Sequence, residues 1–184
     1  MIKYVAFLRA VNVGGRVVKM EQLKKIFEEL KLKNIKTFIQ SGNVIFETAG
    51  KDKNTVITKI EKKLKSSLGY EVLVMLRTEK EIEDIVKNNP FKNDEPDKDT
   101  RVYIAFLYDK TNKETRNILA SMNNKNESFV LKKDEVFCKV HKDEKKSSYF
   151  SILLLEKKLK IPLTTRNQTT VNKIRALLNK KAEL

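Results

Sequence analysis

The pentapeptide Tyr4-Val5-Ala6-Phe7-Leu8 recurs as Tyr103-Ile104-Ala105-Phe106-Leu107, from position 4 to position 103, an offset of 99 in a chain of 184 residues. A repeat separated by about half of the chain indicates duplication of one structural unit. Both copies are apolar at successive positions, which is typical of a strand that is buried on both of its faces. We therefore expect this strand at the centre of a sheet in each copy.

Outward from the first pentapeptide, the pattern predicts a strand-helix-strand-strand-helix-strand unit with a short helix after it. Gly14-Gly15 interrupt the chain, apolar residues then recur at helical spacing, and Ser41-Gly42-Asn43 separate two strand-like runs as a hairpin turn does. This order is that of a ferredoxin-like unit. The predicted strands are 3–8, 35–40, 44–48 and 70–76, and the predicted helices are 19–32, 54–68 and 79–88.

The second copy follows the same order but has a different predicted ending. Residues 89–100, which hold two of the three prolines, are interpreted as a linker. No final strand is recognised, because Pro162 leads into a further helix at roughly 168–181. The other predicted elements are a strand at 101–107, a helix at 112–122, a hairpin at 127–140 and a helix at 148–159.

These patterns predict an α+β fold of two tandem ferredoxin-like (α/β-plait) units. The first unit is expected at 1–88 and the second at 101–184, the second being modified by an extra C-terminal helix. Hydrophobic residues make up 40% of the chain, enough for a packed core. No apolar run approaches the roughly 18 residues that a membrane span needs, and the N-terminus lacks a signal-peptide pattern. Cys138 is the single cysteine, which excludes an internal disulfide, so we expect a cytoplasmic protein.

The formal net charge is +15, from 39 basic against 24 acidic side chains. A basic excess of this size attracts nucleic acid or another polyanion. The alternative is compositional bias, because an AT-rich genome also produces abundant Lys, Asn and Ile. Both explanations stay open at this stage.

The loop after the first strand, Arg9-Ala10-Val11-Asn12-Val13-Gly14-Gly15, is the first candidate site. The second copy has Tyr108 to Lys113 in its place, so a site belongs more naturally to the first copy. With a right-handed crossover, this loop and the Ser41-Gly42-Asn43 turn lie at the same end of the sheet. A guanidinium, amides and glycine N–H groups before a helix suit an anion. Alternatively, these residues only form turns.

A second polar segment, Thr164 to Thr170, precedes the last predicted helix. Thr165 or Asn167 is a candidate helix cap, and Arg166 suits a carboxylate or phosphate. The alternative is a capping region with an exposed arginine.

Residue sets for common catalytic chemistry are missing from the sequence. His141 is the single histidine, which excludes a histidine metal cluster within one chain. Cys138 lies three residues earlier on a predicted strand, hence on the opposite face, and is predicted to be a core residue. The glycine and lysine spacings match neither a phosphate-binding P-loop nor a dinucleotide fingerprint. We therefore assign no catalytic residue, metal or cofactor, and whether the protein is an enzyme stays open.

Three stretches together resemble the bacterial family called domain of unknown function 1697, and the resemblance covers essentially the whole chain. They are Tyr4 to Gly15, Thr37 to Phe46, and Leu163-Thr164-Thr165-Arg166-Asn167 with Thr170-Val171. The resemblance implies a duplicated ferredoxin-like protein without an established activity. Gln168 departs from the family, which usually has an aromatic residue there, and this puts a stacking contribution in doubt. The shared site that the resemblance favours contains Arg9, Asn12, Ser41, Asn43, Thr165, Arg166 and Asn167, and the first loop adds Gly14 and Gly15.

Three functional hypotheses follow. The leading one is a site for a small anion or a phosphate-bearing ligand such as a nucleotide, at the end of the first sheet. The second is weak nucleic-acid binding through the basic surface. The third is a structural or interaction role, in which apolar strand faces pack sheet to sheet or pair two chains as a homodimer.

Overall fold

The computed structural model of the chain describes residues 1–12, 15, 17–38, 42–50, 52–94, 99–141 and 149–179. The strands and helices of these residues follow the order of two ferredoxin-like units, each with an additional final helix. In the first half they are β1 (Ile2–Leu8), α1 (Met20–Glu28), β2 (Lys33–Phe38), β3 (Asn43–Thr48), α2 (Lys53–Leu68), β4 (Val74–Thr78) and α3 (Glu79–Lys87). In the second half they are β5 (Thr100–Leu107), α4 (Lys113–Met122), β6 (Glu127–Lys132), β7 (Glu135–His141), α5 (Tyr149–Leu159), β8 (Leu163–Asn167) and α6 (Gln168–Asn179).

Each half forms a four-stranded antiparallel sheet with its repeated pentapeptide on an inner strand. The strand orders are β2-β3-β1-β4 and β6-β7-β5-β8. In the first sheet Tyr4 lies opposite Phe46 of β3 and Thr78 of β4. In the second sheet Tyr103 lies opposite Cys138 of β7 and Asn167 of β8. The predicted α+β fold of two tandem ferredoxin-like units with a C-terminal helix is confirmed.

The structure corrects one expectation at the end of the second copy. Residues Leu163–Asn167 form a strand, β8, where the sequence indicated none. The segment is an edge strand that pairs with β5 alone, and its polar groups bond to one another. Arg166 donates to the Thr164 hydroxyl and to the Thr165 carbonyl oxygen. Local satisfaction of polar groups thus replaces the apolar alternation by which a strand is usually recognised.

With β8 in place, the duplication extends through both final helices. Helix α3 follows β4 as α6 follows β8, so the C-terminal helix has a counterpart in the first copy. The edge strands also place an arginine at the same position of the repeat. Arg77 lies opposite Val5, and Arg166 lies opposite Ile104. Both arginines are buried.

The main core of the first sheet lies on the face of Tyr4, Ala6 and Leu8, against apolar residues of α1 and α2. Phe46 is stacked on Tyr4 with ring centroids 5.8 Å apart. The opposite face of the same strand is buried as well, because both Val5 and Phe7 are fully inaccessible. The prediction of a central strand buried on both faces is therefore confirmed for β1.

The second sheet has a core of the same kind. Ala105 and Leu107 of β5 pack with Val136 and Cys138 of β7 and with Leu155 of α5. Among the residues that the structure describes, no helix combines the length and the apolar character that crossing a membrane requires.

Contacts within the chain group the residues into two compact units. The first contains Met1–Ile82 together with the residues from Ile174 onward, and the second contains Glu83–Lys173. The boundary between the units therefore falls inside α3 and inside α6. The end of the last helix is part of the first unit.

Candidate functional site

Three chain segments meet at the end of the first sheet where β1 finishes. The backbone N–H of Leu8 donates to the Gly42 carbonyl oxygen at 2.9 Å. The backbone N–H of Arg9 donates to the Leu73 carbonyl oxygen, also at 2.9 Å. The first bond joins the end of β1 to the turn before β3, and the second joins the start of the following loop to the segment before β4. The expected meeting of the loop and the hairpin turn is confirmed.

Gly42 allows the loop and the turn to approach this closely. Its φ is +74°, in the left-handed region, and a Cβ atom at this position would lie 2.6 Å from Cγ1 of Val11 and 3.1 Å from Cβ of Leu8. A separation of 2.6 Å is shorter than carbon atoms tolerate. The turn and the first loop are therefore packed backbone to side chain, with room only for glycine.

Two asparagines of the predicted site stabilise the loops through internal hydrogen bonds. The side-chain oxygen of Asn12 accepts from the Val18 N–H at 2.7 Å. Asn43 is fully buried, and its amide donates to the Phe38 carbonyl oxygen at 2.9 Å. The Tyr70 hydroxyl donates to the Val11 carbonyl oxygen at 3.1 Å. These bonds hold the backbone on both sides of the loop.

Arg9 and Gly15 are more accessible to solvent than the buried Asn43. Arg9 is half-buried at the start of the loop, directly before Ala10, whose φ of 56° turns the chain into the left-handed region. Gly15 is exposed with a φ of +81°, and a Cβ atom there would have open space around it. A guanidinium and an approachable backbone thus occur in one loop that leads towards α1. Gly14 and Ser41 of the predicted site lie outside the described residues.

The remaining predicted residues, Thr165, Arg166 and Asn167, lie in β8 of the second unit. Burial lowers the pKa of Arg166 to about 10. Its guanidinium bonds to the Thr164 hydroxyl at 2.8 Å and to the carbonyl oxygen of half-buried Thr165 at 2.7 Å. The exposed Asn167 accepts from the Thr170 N–H at 2.7 Å and so caps α6, as predicted for one of two candidates. This group supports the edge strand and the start of the helix.

Within the second sheet, these residues lie away from the loop that follows β5. Leu163 is opposite Leu107, at the end of β5, whereas Asn167 is opposite Tyr103, nearer its beginning. Arg166 and Asn167 therefore lie towards the other end of the strand pair. The predicted residues thus form one group around the first loop of the first unit and another on β8 of the second.

The second unit repeats the scaffold of the first loop with different side chains. The backbone N–H of Leu107 donates to the Asp134 carbonyl oxygen at 3.4 Å, and the backbone N–H of Tyr108 donates to the Pro162 carbonyl oxygen at 2.9 Å. These bonds correspond to those of Leu8 and Arg9 in the first unit. Tyr108 therefore occupies the position of Arg9. The repeat of the pentapeptide indicated this equivalence, and the structure adds that the two loops are attached by the same backbone hydrogen bonds.

Other reactive side chains do not extend the site. Cys138 is fully buried, as predicted, and burial together with the charge of Glu127 raises the pKa of its thiol. His141 is exposed at the end of β7, with Nδ1 3.1 Å from the Thr100 hydroxyl. In the described ranges, no group of three or more His, Cys, Asp or Glu side chains is arranged to hold a metal ion.

The two ferredoxin-like units, with a glycine-containing loop at the end of the first sheet, define a duplicated α+β protein. Comparison with known proteins gives its family. The chain belongs to the family described as "Protein of unknown function (DUF1697)", whose model matches residues 1–137. Its structure is similar to that of the conserved bacterial protein SP0830 from Streptococcus pneumoniae, with a TM-score of 0.80 and 24% sequence identity over 98% of this chain and 99% of that one. At this identity the similarity shows the fold. No curated protein matches the sequence.

Proposed function

We propose that the protein binds a small anionic or phosphate-bearing ligand at the end of the first sheet, around Arg9 and the loop that contains Gly15. The observation that carries this proposal is the pair of backbone bonds from Leu8 to Gly42 and from Arg9 to Leu73. Arg9 begins a loop that is fixed at the junction of three chain segments. The backbone that carries this cation is already ordered, so it loses little conformational entropy when a ligand binds.

The internal bonds of the loop support the same interpretation. Asn12 bonds to Val18, and Tyr70 bonds to Val11, so the fold holds the backbone at Val11 and at Val18. Binding groups act most effectively when a second layer of hydrogen bonds holds them in place. We assign this supporting role to Asn12 and Asn43, and the binding role to Arg9 and the backbone of the glycine loop.

The chemistry of these groups favours phosphate or carboxylate. A guanidinium presents a fork of N–H donors that matches two oxygens of either group, and such bonds are stronger than neutral ones. Glycine permits close approach of backbone N–H groups to an anion. The second unit retains the backbone scaffold but has Tyr108 where the first has Arg9, which favours the first unit as the location.

A thermal-shift screen against nucleotides, sugar phosphates and simple anions, at low and high salt, tests the proposal. A ligand present at about 100 times its dissociation constant adds roughly 2.7 kcal/mol to the free energy of unfolding. For a chain of this size, this raises the melting temperature by several degrees. We expect a salt-resistant shift with one chemical class.

Variants of Arg9 separate a specific site from general charge. Arg9→Ala should abolish the shift, and Arg9→Lys should recover only part of it because the fork is lost. Arg116→Ala, at an exposed position of α4, removes the same charge elsewhere and should retain the shift. Shifts with polyanions alone, or equal losses in the Arg9 and Arg116 variants, would contradict the proposal.

A further inference from the structure

A concentration of lysines lies at the end of the second sheet where β5 finishes. Three segments meet there, namely 108–113 after β5, 132–134 between β6 and β7, and 157–162 before β8. The Leu107 N–H bonds to the Asp134 carbonyl, the Tyr108 N–H bonds to the Pro162 carbonyl, and the Thr111 hydroxyl donates to the Lys133 carbonyl at 3.4 Å. We call these three segments the basic end.

The basic end carries seven lysines against two aspartates, Asp109 and Asp134, a net charge of +5. All seven lysines are exposed, and they are Lys110, Lys113, Lys132, Lys133, Lys157, Lys158 and Lys160. The corresponding segments of the first unit, 9–15, 40–42 and 66–73, contain one arginine and one glutamate. Compositional bias acts on the whole chain, so it does not account for this difference between two copies of one unit.

Two of these lysines make side-chain contacts at the protein surface. Lys133 lies 3.3 Å from Asp84, with 74% of the lysine side chain accessible, and Lys132 donates to the Asn88 carbonyl oxygen at 2.9 Å. Exposed ion pairs of this kind are weak and are screened by salt. A phosphate can therefore replace them with little cost.

One aromatic residue belongs to the same three segments as the lysines. Tyr108 is 37% exposed and follows directly after β5. Its backbone N–H donates to the Pro162 carbonyl oxygen, so its backbone joins segment 108–113 to segment 157–162. Rings held among cationic side chains are the usual platform on which bases of single-stranded nucleic acid stack.

We propose that the basic end of the second unit binds single-stranded nucleic acid, with lysines contacting phosphates and Tyr108 stacking on a base. Lysine acts on phosphate as a point charge and reads no sequence, so the binding is tolerant of sequence and sensitive to salt. This site differs in place and in ligand from the one around Arg9.

Fluorescence anisotropy with a labelled oligothymidylate of about 20 nucleotides, longer than a typical single-domain site, tests the proposal. The full-length protein is compared with Lys110→Gln/Lys133→Gln/Lys158→Gln, which removes one lysine from each segment. Titrations run between about 50 and 200 mM salt. The loss of three phosphate contacts should reduce the slope of log affinity against log salt by about 2.

The matched control is Lys25→Gln/Lys62→Gln/Lys80→Gln, which lowers the net charge equally at exposed positions of α1, α2 and α3. We expect it to retain the slope of the unchanged protein. Equal losses in the two triple variants would overturn the proposal, because overall charge would then be the cause. Circular dichroism of each variant verifies that it is folded.

Substitution of Tyr108 tests the stacking contact. Tyr108→Ala should weaken binding of the oligothymidylate at least about fivefold, and Tyr108→Phe should retain it. Unchanged binding by Tyr108→Ala, or equal competition by polyglutamate, would overturn the assignment in favour of a surface for acidic protein.

Discussion

The ammonium group of Lys3, in the first strand, donates to the carbonyl oxygen of Leu178, in the last helix, at 2.8 Å across 175 positions of sequence. The same group pairs with Glu79 at the start of α3, at 3.0 Å. A cation near the end of one helix and an anion at the start of another are both favoured by the helix dipoles. The residues from Ile174 onward accordingly belong to the first unit.

Replacing Lys3 should weaken the attachment of α6 to the first unit. Lys3→Met retains most of the aliphatic stem but removes the bonds to Leu178 and Glu79. The Lys3 side chain is 27% exposed. After allowance for solvent screening, we expect a loss of about 1 kcal/mol in the free energy of unfolding. Urea denaturation measures it. Lys24→Met, which removes an exposed pair with Glu28, serves as the control and should change stability by less than about 0.5 kcal/mol.

Gly42→Ala should destabilise the protein through both backbone strain and steric overlap. The left-handed φ alone costs about 1–2 kcal/mol, and the 2.6 Å approach to Val11 adds to it. Gly69 has a φ of +80° but open space around it, so Gly69→Ala isolates the backbone term. We expect Gly42→Ala to be the more destabilising variant in thermal melts. Adding Val11→Ala should recover part of the difference, and strictly additive losses would contradict the packing explanation.

Asn167 tests whether a predicted site residue serves the fold or a ligand. Because its side chain caps α6 through the Thr170 N–H, Asn167→Ala should lower the free energy of unfolding by about 1 kcal/mol. Asn167→Asp retains a capping oxygen and should be close to the unchanged protein. Ligand-induced thermal shifts should persist in both variants. A lost shift in a stable Asn167→Asp protein would instead place Asn167 in a binding site.

Glu81 should make stability depend on pH in the acid range. Burial raises the pKa of this carboxyl group, but hydrogen bonds from Lys53 and Thr78 outweigh burial and lower it below its ordinary value. A pKa lowered by folding means that the stabilisation is present above the ordinary value of about 4.3 and is lost as the pH falls through the folded value.

Glu81→Gln should therefore lower the free energy of unfolding by about 1 kcal/mol near neutral pH, a value that allows for the partial exposure of the Glu81–Lys53 pair. The loss should become progressively smaller as the pH falls below about 4. Urea denaturation at neutral and acid pH measures the difference. Glu21→Gln, at an exposed position of α1, serves as the control. A cost for Glu81→Gln that stays constant with pH would show that the ionised carboxylate is not the stabilising form.

The candidate site was predicted only in part. The meeting of the Arg9 loop with the Gly42 turn follows from the handedness of the crossover, a rule that depends on the order of elements and not on side chains. The internal roles of Asn12 and Asn43 depend on partners six and five residues away whose orientation is set by folding. Strand β8 was missed because Thr164 and Arg166 satisfy each other at an edge, a pairing that periodicity does not register.

The sequence by itself determined the duplication, the order of elements apart from β8, and the central position of β1 and β5, because repetition and apolar patterning are local properties of the chain. Only the tertiary structure decided that equivalent backbone bonds hold Arg9 and Tyr108, that Arg77 and Arg166 occupy one repeat position, and that Lys3 joins the first strand to Leu178. These relationships depend on strand register and on hydrogen bonds between distant residues. Such contacts exist only after the backbone has closed its loops, so no local pattern encodes them.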